Sequence, residues 1–153
     1  MTRRVARRRD GADRSLAVTF RRNAAGFYQG AEAVLTRHHE GARYFLAIAI
    51  ELALKAYLLD RGIRDDWNRV YLRHDLVKAL RYARRAGLTG APVKLPELAA
   101  LLSPYYKVHA ISEMSPEVIA SVCWLEACTT VRDLIGTVAE AAGRRVSSAD
   151  GTA

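Results

Sequence analysis

The stretch ARYFLAIAIELALKAYLLD, residues Ala42–Asp60, decides the fold. It is apolar on nearly every side of a helix, and its interior carries two charges, Glu51 and Lys55, four residues apart in the favourable acid-then-base order. A helix that is apolar all round must be buried. Inside a membrane the two central charges would cost about 5–7 kcal/mol. We therefore predict the central helix of a small all-α bundle and no membrane partner.

The rest of the chain supports one helical domain. It has 153 residues, half of them hydrophobic and only four of them proline, which is enough for a folded core. Helical spacing of apolar residues recurs, and no strand pattern is visible. We predict a compact bundle of about four or five helices over residues 15–143, between a flexible basic arm (1–14) and a flexible tail (144–153). The first predicted helix is Leu16–Thr36, and the second is the central helix, which stops at Gly62. A third helix is capped by Asp75 and stops at Gly87, a short fourth helix covers Leu95–Leu102, and a long last helix begins at Ser115. Residues 63–73 are predicted to form a loop or short helical turn, and residues 103–115 are predicted to be irregular.

Positive charge is concentrated at the N-terminal end. The net charge is +8, and residues 1–14 hold six arginines against two aspartates, a local balance of +4. Basic arms attract nucleic acid or acidic surfaces, although a solvated tail that aids solubility fits equally well. No apolar segment follows the arginines, so no signal peptide is predicted, and two aspartates interrupt any resemblance to a mitochondrial presequence.

The cysteines indicate a reducing compartment. Cys123 and Cys128 lie five residues apart in a predicted helix, a spacing that fits neither a CxxC pair nor a secreted disulfide framework. Cytosolic and nuclear proteins rarely carry disulfides. We expect a cytoplasmic protein in which both thiols are free.

Sequence motifs for metal or cofactor chemistry are missing. His74 and His109 stand alone, and no HExxH or CxxC motif occurs. The chain also has no glycine-rich phosphate loop and no GxSxG elbow. We therefore predict no metal site and no cofactor.

The central helix needs polar partners elsewhere in the chain. Glu51 lies in apolar surroundings and requires hydrogen-bond donors. The segment His74-Asp75-Leu76 at the start of the third helix offers unpaired amide groups and an imidazole. We predict a polar network of Glu51, Lys55, His74 and Asp75. It is either a buried staple that fixes one helix against another or part of a functional site, and the sequence favours the staple.

The same residues carry a family resemblance. The run AIELALKAYL (Ala49–Leu58), followed after a gap by His74-Asp75-Leu76, resembles the "ElaLKayL … HdL" pattern of one branch of the HEPN domains, the nucleotide-binding helical bundles of higher eukaryotes and prokaryotes. The resemblance spans roughly residues 16–142. It implies a helical bundle that often dimerises. Many members are metal-independent ribonucleases of toxin and defence systems, where an antitoxin is the partner protein.

The resemblance also implies site residues. The family's ribonuclease signature is an arginine and a histidine separated by four to six residues, and Arg69 and His74 are separated by four. By resemblance, His74 would be general base or acid toward the ribose 2′-OH, and Arg69, helped by Arg73, would stabilise phosphate charge. The product would be a 2′,3′-cyclic phosphate. Lys55 and Lys107 are further candidates for contacts to RNA or a nucleotide.

Two functions stay open on the sequence. One is a HEPN-like module that binds RNA or nucleotides, with or without metal-independent endoribonuclease activity. The other is a catalytically inert protein-interaction or dimerisation module, working as a homodimer or with a partner such as an antitoxin. A His74 that donates to Glu51 would compete with catalysis. The sequence therefore predicts that His74→Ala harms folding more than it harms RNA cleavage per folded molecule.

Overall fold

The regular backbone structure in the computed structural model is helical. The structure describes the backbone of residues 2–151 and the side chains from residue 13 onward. Over this range there are seven α-helical segments, one π-helical turn, one 3₁₀ turn and no strand, which confirms the all-α prediction. The segments are α1 (Thr2–Val34), α2 (His39–Asp60), α3 (Asp65–Trp67), the π turn (Asn68–Leu72), α4 (Leu76–Arg85), α5 (Leu95–Tyr106), the 3₁₀ turn (Ile111–Glu113), α6 (Pro116–Ala120) and α7 (Trp124–Asp150).

Helix α2 contains the apolar stretch Ala42–Asp60. It packs against α1, α4, α5 and α7, the other helices of ten or more residues. Leu46, Ile50 and Leu54 are fully buried within it. Contact on several sides explains why this helix carries no continuous polar face. Within residues 2–151 no helix combines the length and the apolarity needed to cross a bilayer.

Glycines end two helices as predicted. At the end of α4 the Leu88 amide donates to the carbonyl of Ala83 at 2.9 Å and the Gly87 amide to that of Arg84 at 3.0 Å, which is the Schellman pattern. Gly87 has φ +107°, a left-handed conformation that glycine adopts without steric cost. Gly62 ends α2 with the same pattern and φ +85°.

Two predicted helix caps are also confirmed. Asp75 Oδ1 accepts from the Lys78 amide at 3.0 Å at the start of α4. Ser115 Oγ accepts from the Val118 amide at 3.2 Å at the start of α6. Each side-chain oxygen satisfies an amide group that has no partner inside its own helix.

The prediction of one long last helix is wrong, because the structure has two helices there. The helix that Ser115 opens ends at Ala120, and α7 begins only at Trp124. The indole Nε1 of Trp124 donates to the carbonyl of Ile119 at 3.1 Å. An indole bonded to this carbonyl stabilises a turn at the point where the backbone ladder stops.

Other boundaries differ as well. Helix α5 continues to Tyr106, so the predicted irregular segment begins later than expected, and the buried Tyr106 ring anchors the additional turn. Helix α1 begins at Thr2 and α7 extends to Asp150, so helical backbone covers most of the predicted arm and tail. The flexibility of those two segments stays a prediction, and the side chains of residues 1–12 lie outside the described part.

Candidate functional site

A buried carboxylate lies at the centre of the predicted polar network. The side chain of Glu51 is 8% exposed. It accepts hydrogen bonds from the Lys55 ammonium and from the Tyr106 hydroxyl. Nδ1 of His74 lies 3.1 Å from its Oε2 and 3.2 Å from its Oε1. The structure thus brings three of the four predicted network residues together around one carboxylate and adds Tyr106.

Three parts of the chain build this network. Helix α2 supplies Glu51 and Lys55, whose i,i+4 spacing places both on one face. Helix α5 ends at Tyr106, and His74 directly precedes the cap of α4. The ring centroids of Tyr106 and His74 are 5.4 Å apart in an edge-to-face arrangement. The network therefore ties α2 to the neighbouring ends of α4 and α5.

The network keeps Glu51 ionised. Burial by itself would raise the pKa of Glu51, but the Lys55 charge and the hydrogen bonds from Lys55, Tyr106 and His74 outweigh it, so the pKa lies below its ordinary value. The pKa of Tyr106 is raised far above its ordinary value by burial and then by the adjacent Glu51 charge. At neutral pH the pair is therefore a carboxylate that accepts and a phenol that donates.

Ionisation of Glu51 fixes the tautomer of His74. A carboxylate can only accept hydrogen bonds, so Nδ1 of His74 carries the proton that lies between them. In the neutral imidazole Nε2 then holds a free lone pair. The side chain of His74 is 43% exposed. The contact with Glu51 therefore orients an imidazole that is partly accessible to solvent.

Asp75 belongs to an adjoining network rather than to the Glu51 cluster. Ser103 Oγ accepts from the Leu76 amide at 3.0 Å and donates to Asp75 Oδ1 at 3.3 Å. Lys107 Nζ lies 3.7 Å from Asp75 Oδ2. These contacts fix the start of α4 against α5 and hold the backbone next to His74 in place.

A second histidine lies against the first. The ring centroids of His109 and His74 are 5.4 Å apart with an interplanar angle of 66°. His109 has φ +56° and Arg73, directly before His74, has φ +47°. They are the two non-glycine residues with positive φ in the part of the chain that the structure describes. Such conformations cost about 1–3 kcal/mol each and concentrate at functional sites.

The remaining predicted site residues are placed as follows. Arg69 and Arg73 are exposed, Arg69 within the π turn and Arg73 directly after it. Among the described side chains, Arg69 forms no hydrogen bond or ion pair with His74. Lys107 is exposed, whereas Lys55 is buried against Glu51. The position of Lys55 suits a role in the network better than a contact to RNA.

The basic face of α4 is not among the features predicted from the sequence. Arg81, Arg84 and Arg85 are exposed on this helix, which begins two residues after His74. The Arg85 guanidinium lies 5.7 Å from the Tyr82 ring centroid. Spacing alone could have revealed this face, because the arginines recur at three and four residues. Three arginines and four neutral residues line a cleft of about 320 Å³ there: Val77, Leu80, Arg81, Arg84, Arg85, Pro96 and Ala99.

Tyr106 and His109 are not among the predicted site residues either, because the sequence predicts an irregular segment there. Over the described residues no three His, Cys, Asp or Glu side chains are grouped to hold a metal ion. In comparisons with known proteins, no family model, no curated protein and no solved structure matches this chain significantly. The interpretation of the site therefore depends on its own geometry and on the sequence resemblance.

Proposed function

We propose that this chain is a HEPN-like module that binds RNA and cleaves it without a metal ion at His74. The observation that carries the proposal is the hydrogen bond between His74 Nδ1 and the buried Glu51, in an imidazole whose side chain is 43% exposed. A carboxylate that orients one imidazole nitrogen prepares the other for proton transfer.

In the proposed reaction His74 Nε2 accepts the proton of a ribose 2′-OH. The 2′-oxygen attacks the adjacent phosphorus and the bond between phosphorus and the 5′-oxygen breaks. The leaving 5′-oxygen takes up a proton from solvent or from a neighbouring acid, so that a 2′,3′-cyclic phosphate and a 5′-OH end result. Arg73 directly precedes His74 and Arg69 lies in the π turn before it; both are exposed, and they would stabilise charge on the phosphate oxygens. In this scheme the contact with Glu51 supports catalysis, because it occupies only Nδ1.

Exposed basic side chains on α4 and after α5 support RNA as the substrate class. Helix α4 carries three exposed arginines, and Lys107 is exposed on the neighbouring chain segment. Lysine and arginine side chains bind the phosphate backbone and release counterions, which gives salt-dependent and largely sequence-independent affinity. Free nucleotides share the same phosphate chemistry. We also propose a cytoplasmic setting, in line with the free thiols of Cys123 and Cys128.

The direct test is RNA cleavage in excess EDTA. Wild-type protein should cut a single-stranded RNA and leave cyclic phosphate ends, which chromatography or mass spectrometry identifies. His74→Ala, corrected for its folded fraction, should lose the activity. Robust binding without cleavage would limit the function to RNA binding, and the absence of both would remove the proposal.

One observation favours a second function, an inert interaction or dimerisation module. Val70 and Tyr71 in the π turn are 61% and 55% exposed, directly beside Arg69. Exposed apolar side chains of this size suit a protein contact, either with a second copy of the chain or with a partner such as an antitoxin. Sedimentation of wild type and Tyr71→Ser separates this function from catalysis, since only an interface there makes the assembly depend on Tyr71.

A further inference from the structure

The contact between His74 and His109 is not used by the proposed function. The two rings meet edge to face, and each is accessible to solvent at the same surface. His109 is brought there by the end of α5, whereas His74 precedes α4. Two imidazoles at one surface position can supply both a proton acceptor and a proton donor.

The backbone of His109 has a left-handed conformation that costs free energy for any residue other than glycine. The amide of Ala110 donates to the carbonyl of Tyr105 at 2.8 Å, the same pattern that ends α2 and α4. At those two helices the left-handed residue is Gly62 or Gly87, and after α5 it is His109. Glycine is the usual occupant because it has no Cβ penalty. The chain therefore places histidine where glycine would cost less.

A second residue with a strained backbone lies next to His74. Arg73 has φ +47° and ψ −123° and directly precedes His74. Both positive-φ residues other than glycine in the described chain thus adjoin one imidazole. Strain that persists at two residues of one cluster is an observation from which a functional role can be inferred.

We infer that His109 is a second catalytic residue, which contacts the same phosphodiester as His74 and donates a proton to the leaving 5′-oxygen. The inference rests on the proposed function and deepens it. His74 takes the proton from the 2′-OH, the bond between the 2′-oxygen and phosphorus forms, and the bond between phosphorus and the 5′-oxygen breaks. The 5′-oxygen receives its proton from the His109 imidazolium. Proton exchange with water restores both rings.

The surrounding charges suit a phosphate at this position. Lys107 lies between Tyr106 and His109 in sequence, and Arg73 precedes His74. The anionic groups nearby are already engaged: Glu51 accepts from three donors, and Asp75 accepts from Ser103 and from the Lys78 amide and lies 3.7 Å from the Lys107 ammonium.

The first experiment measures binding without turnover. Full-length protein labelled at its histidines is titrated with a 2′-O-methyl oligoribonucleotide, which carries the phosphodiester but lacks the attacking hydroxyl. We expect the NMR signals of His74 and His109 to move together with one dissociation constant. His38 and His39, both exposed at the start of α2, provide the internal control and should not respond.

The second experiment exploits the backbone strain. His109→Gly removes the imidazole and relieves the left-handed conformation, so its melting temperature should equal or exceed that of wild type. RNA cleavage in EDTA should nevertheless fall on the order of a hundredfold. In His109→Asn the asparagine also tolerates the left-handed conformation, so this variant should show the same loss of RNA cleavage without a loss of stability. The matched control, His38→Asn, should retain wild-type cleavage.

The outcomes separate the inference from the proposed function. If wild type cleaves RNA while His109→Gly cleaves at the same rate, or His109 stays silent in the titration, the inference is overturned and the proposed function stands. If both rings respond and wild type does not cleave, the shared phosphate contact is supported, but the proposed catalysis and the catalytic role of His109 are both overturned. If neither ring responds and no RNA is cut, both are overturned.

Discussion

Nδ1 of His74 lies 3.1 Å from the buried Oε2 of Glu51, and this contact joins two chain segments that are 23 residues apart. The sequence predicts that this contact competes with catalysis. In the proposed reaction the two uses of His74 are compatible, because Glu51 engages Nδ1 and the side chain remains 43% exposed. We therefore propose that one histidine both stabilises the fold and offers Nε2 to a substrate.

Glu51→Ala should lower the free energy of unfolding by about 1–3 kcal/mol, because Lys55, Tyr106 and His74 lose their shared acceptor. Urea denaturation followed by circular dichroism measures the change. Glu113→Ala, at an exposed glutamate, is the control and should stay within about 0.5 kcal/mol of wild type. An equally small effect at Glu51 would mean that the network contributes nothing to stability.

Acid should weaken the same network. The pKa of Glu51 is lower in the folded chain than its ordinary value of about 4.3, so its stabilising effect is complete above that value and is lost as the pH falls through the folded-state pKa. The difference in unfolding free energy between wild type and Glu51→Gln should therefore shrink below about pH 4. A difference that stays constant from pH 7 to pH 2 would contradict the depressed pKa.

Leu54→Ala should cost about 2–5 kcal/mol of unfolding free energy, because the side chain is fully buried in α2 and its loss opens a cavity. The same substitution at Leu125, which is 71% exposed on α7, should cost little. Thermal melts of the two variants give the comparison. Similar costs at both positions would show that α2 is not packed as described.

Much of the fold follows from local patterns. Each of three features depends on residues close together in sequence and could therefore be predicted: the apolar run of α2, the Asp75 cap and the glycine stops. The break before α7 was not predicted, because the apolar spacing continues from Val118 to Val122 and Leu125, and no glycine marks the point where α6 ends.

The site was predictable only in part. Glu51 needs a donor wherever it is buried, and His74 was an available partner. The third donor, Tyr106, and the contact between His74 and His109 depend on how α5 ends and packs against α2 and α4. Sequence spacing does not carry that tertiary information.

RNA affinity should depend on the basic face of α4. In Arg81→Ala/Arg84→Ala, the slope of log affinity against log salt should become shallower by about one for each arginine that contacts a phosphate. Fluorescence anisotropy over a salt series measures this slope, with Arg37→Ala, between α1 and α2, as the control. Deleting residues 1–14 tests the basic arm in the same assay. A slope that is unchanged in both variants would place the RNA-binding surface elsewhere.

The central claim is that His74 cleaves RNA, and cleavage per folded molecule in excess EDTA tests it most directly. Wild type, His74→Ala, Arg69→Ala and the control His38→Ala are compared on one single-stranded RNA after their melting curves establish the folded fraction. We predict that wild type and His38→Ala produce 2′,3′-cyclic phosphate ends, and that folded His74→Ala and Arg69→Ala lose on the order of a hundredfold or more of the rate. Full cleavage by folded His74→Ala would contradict the account.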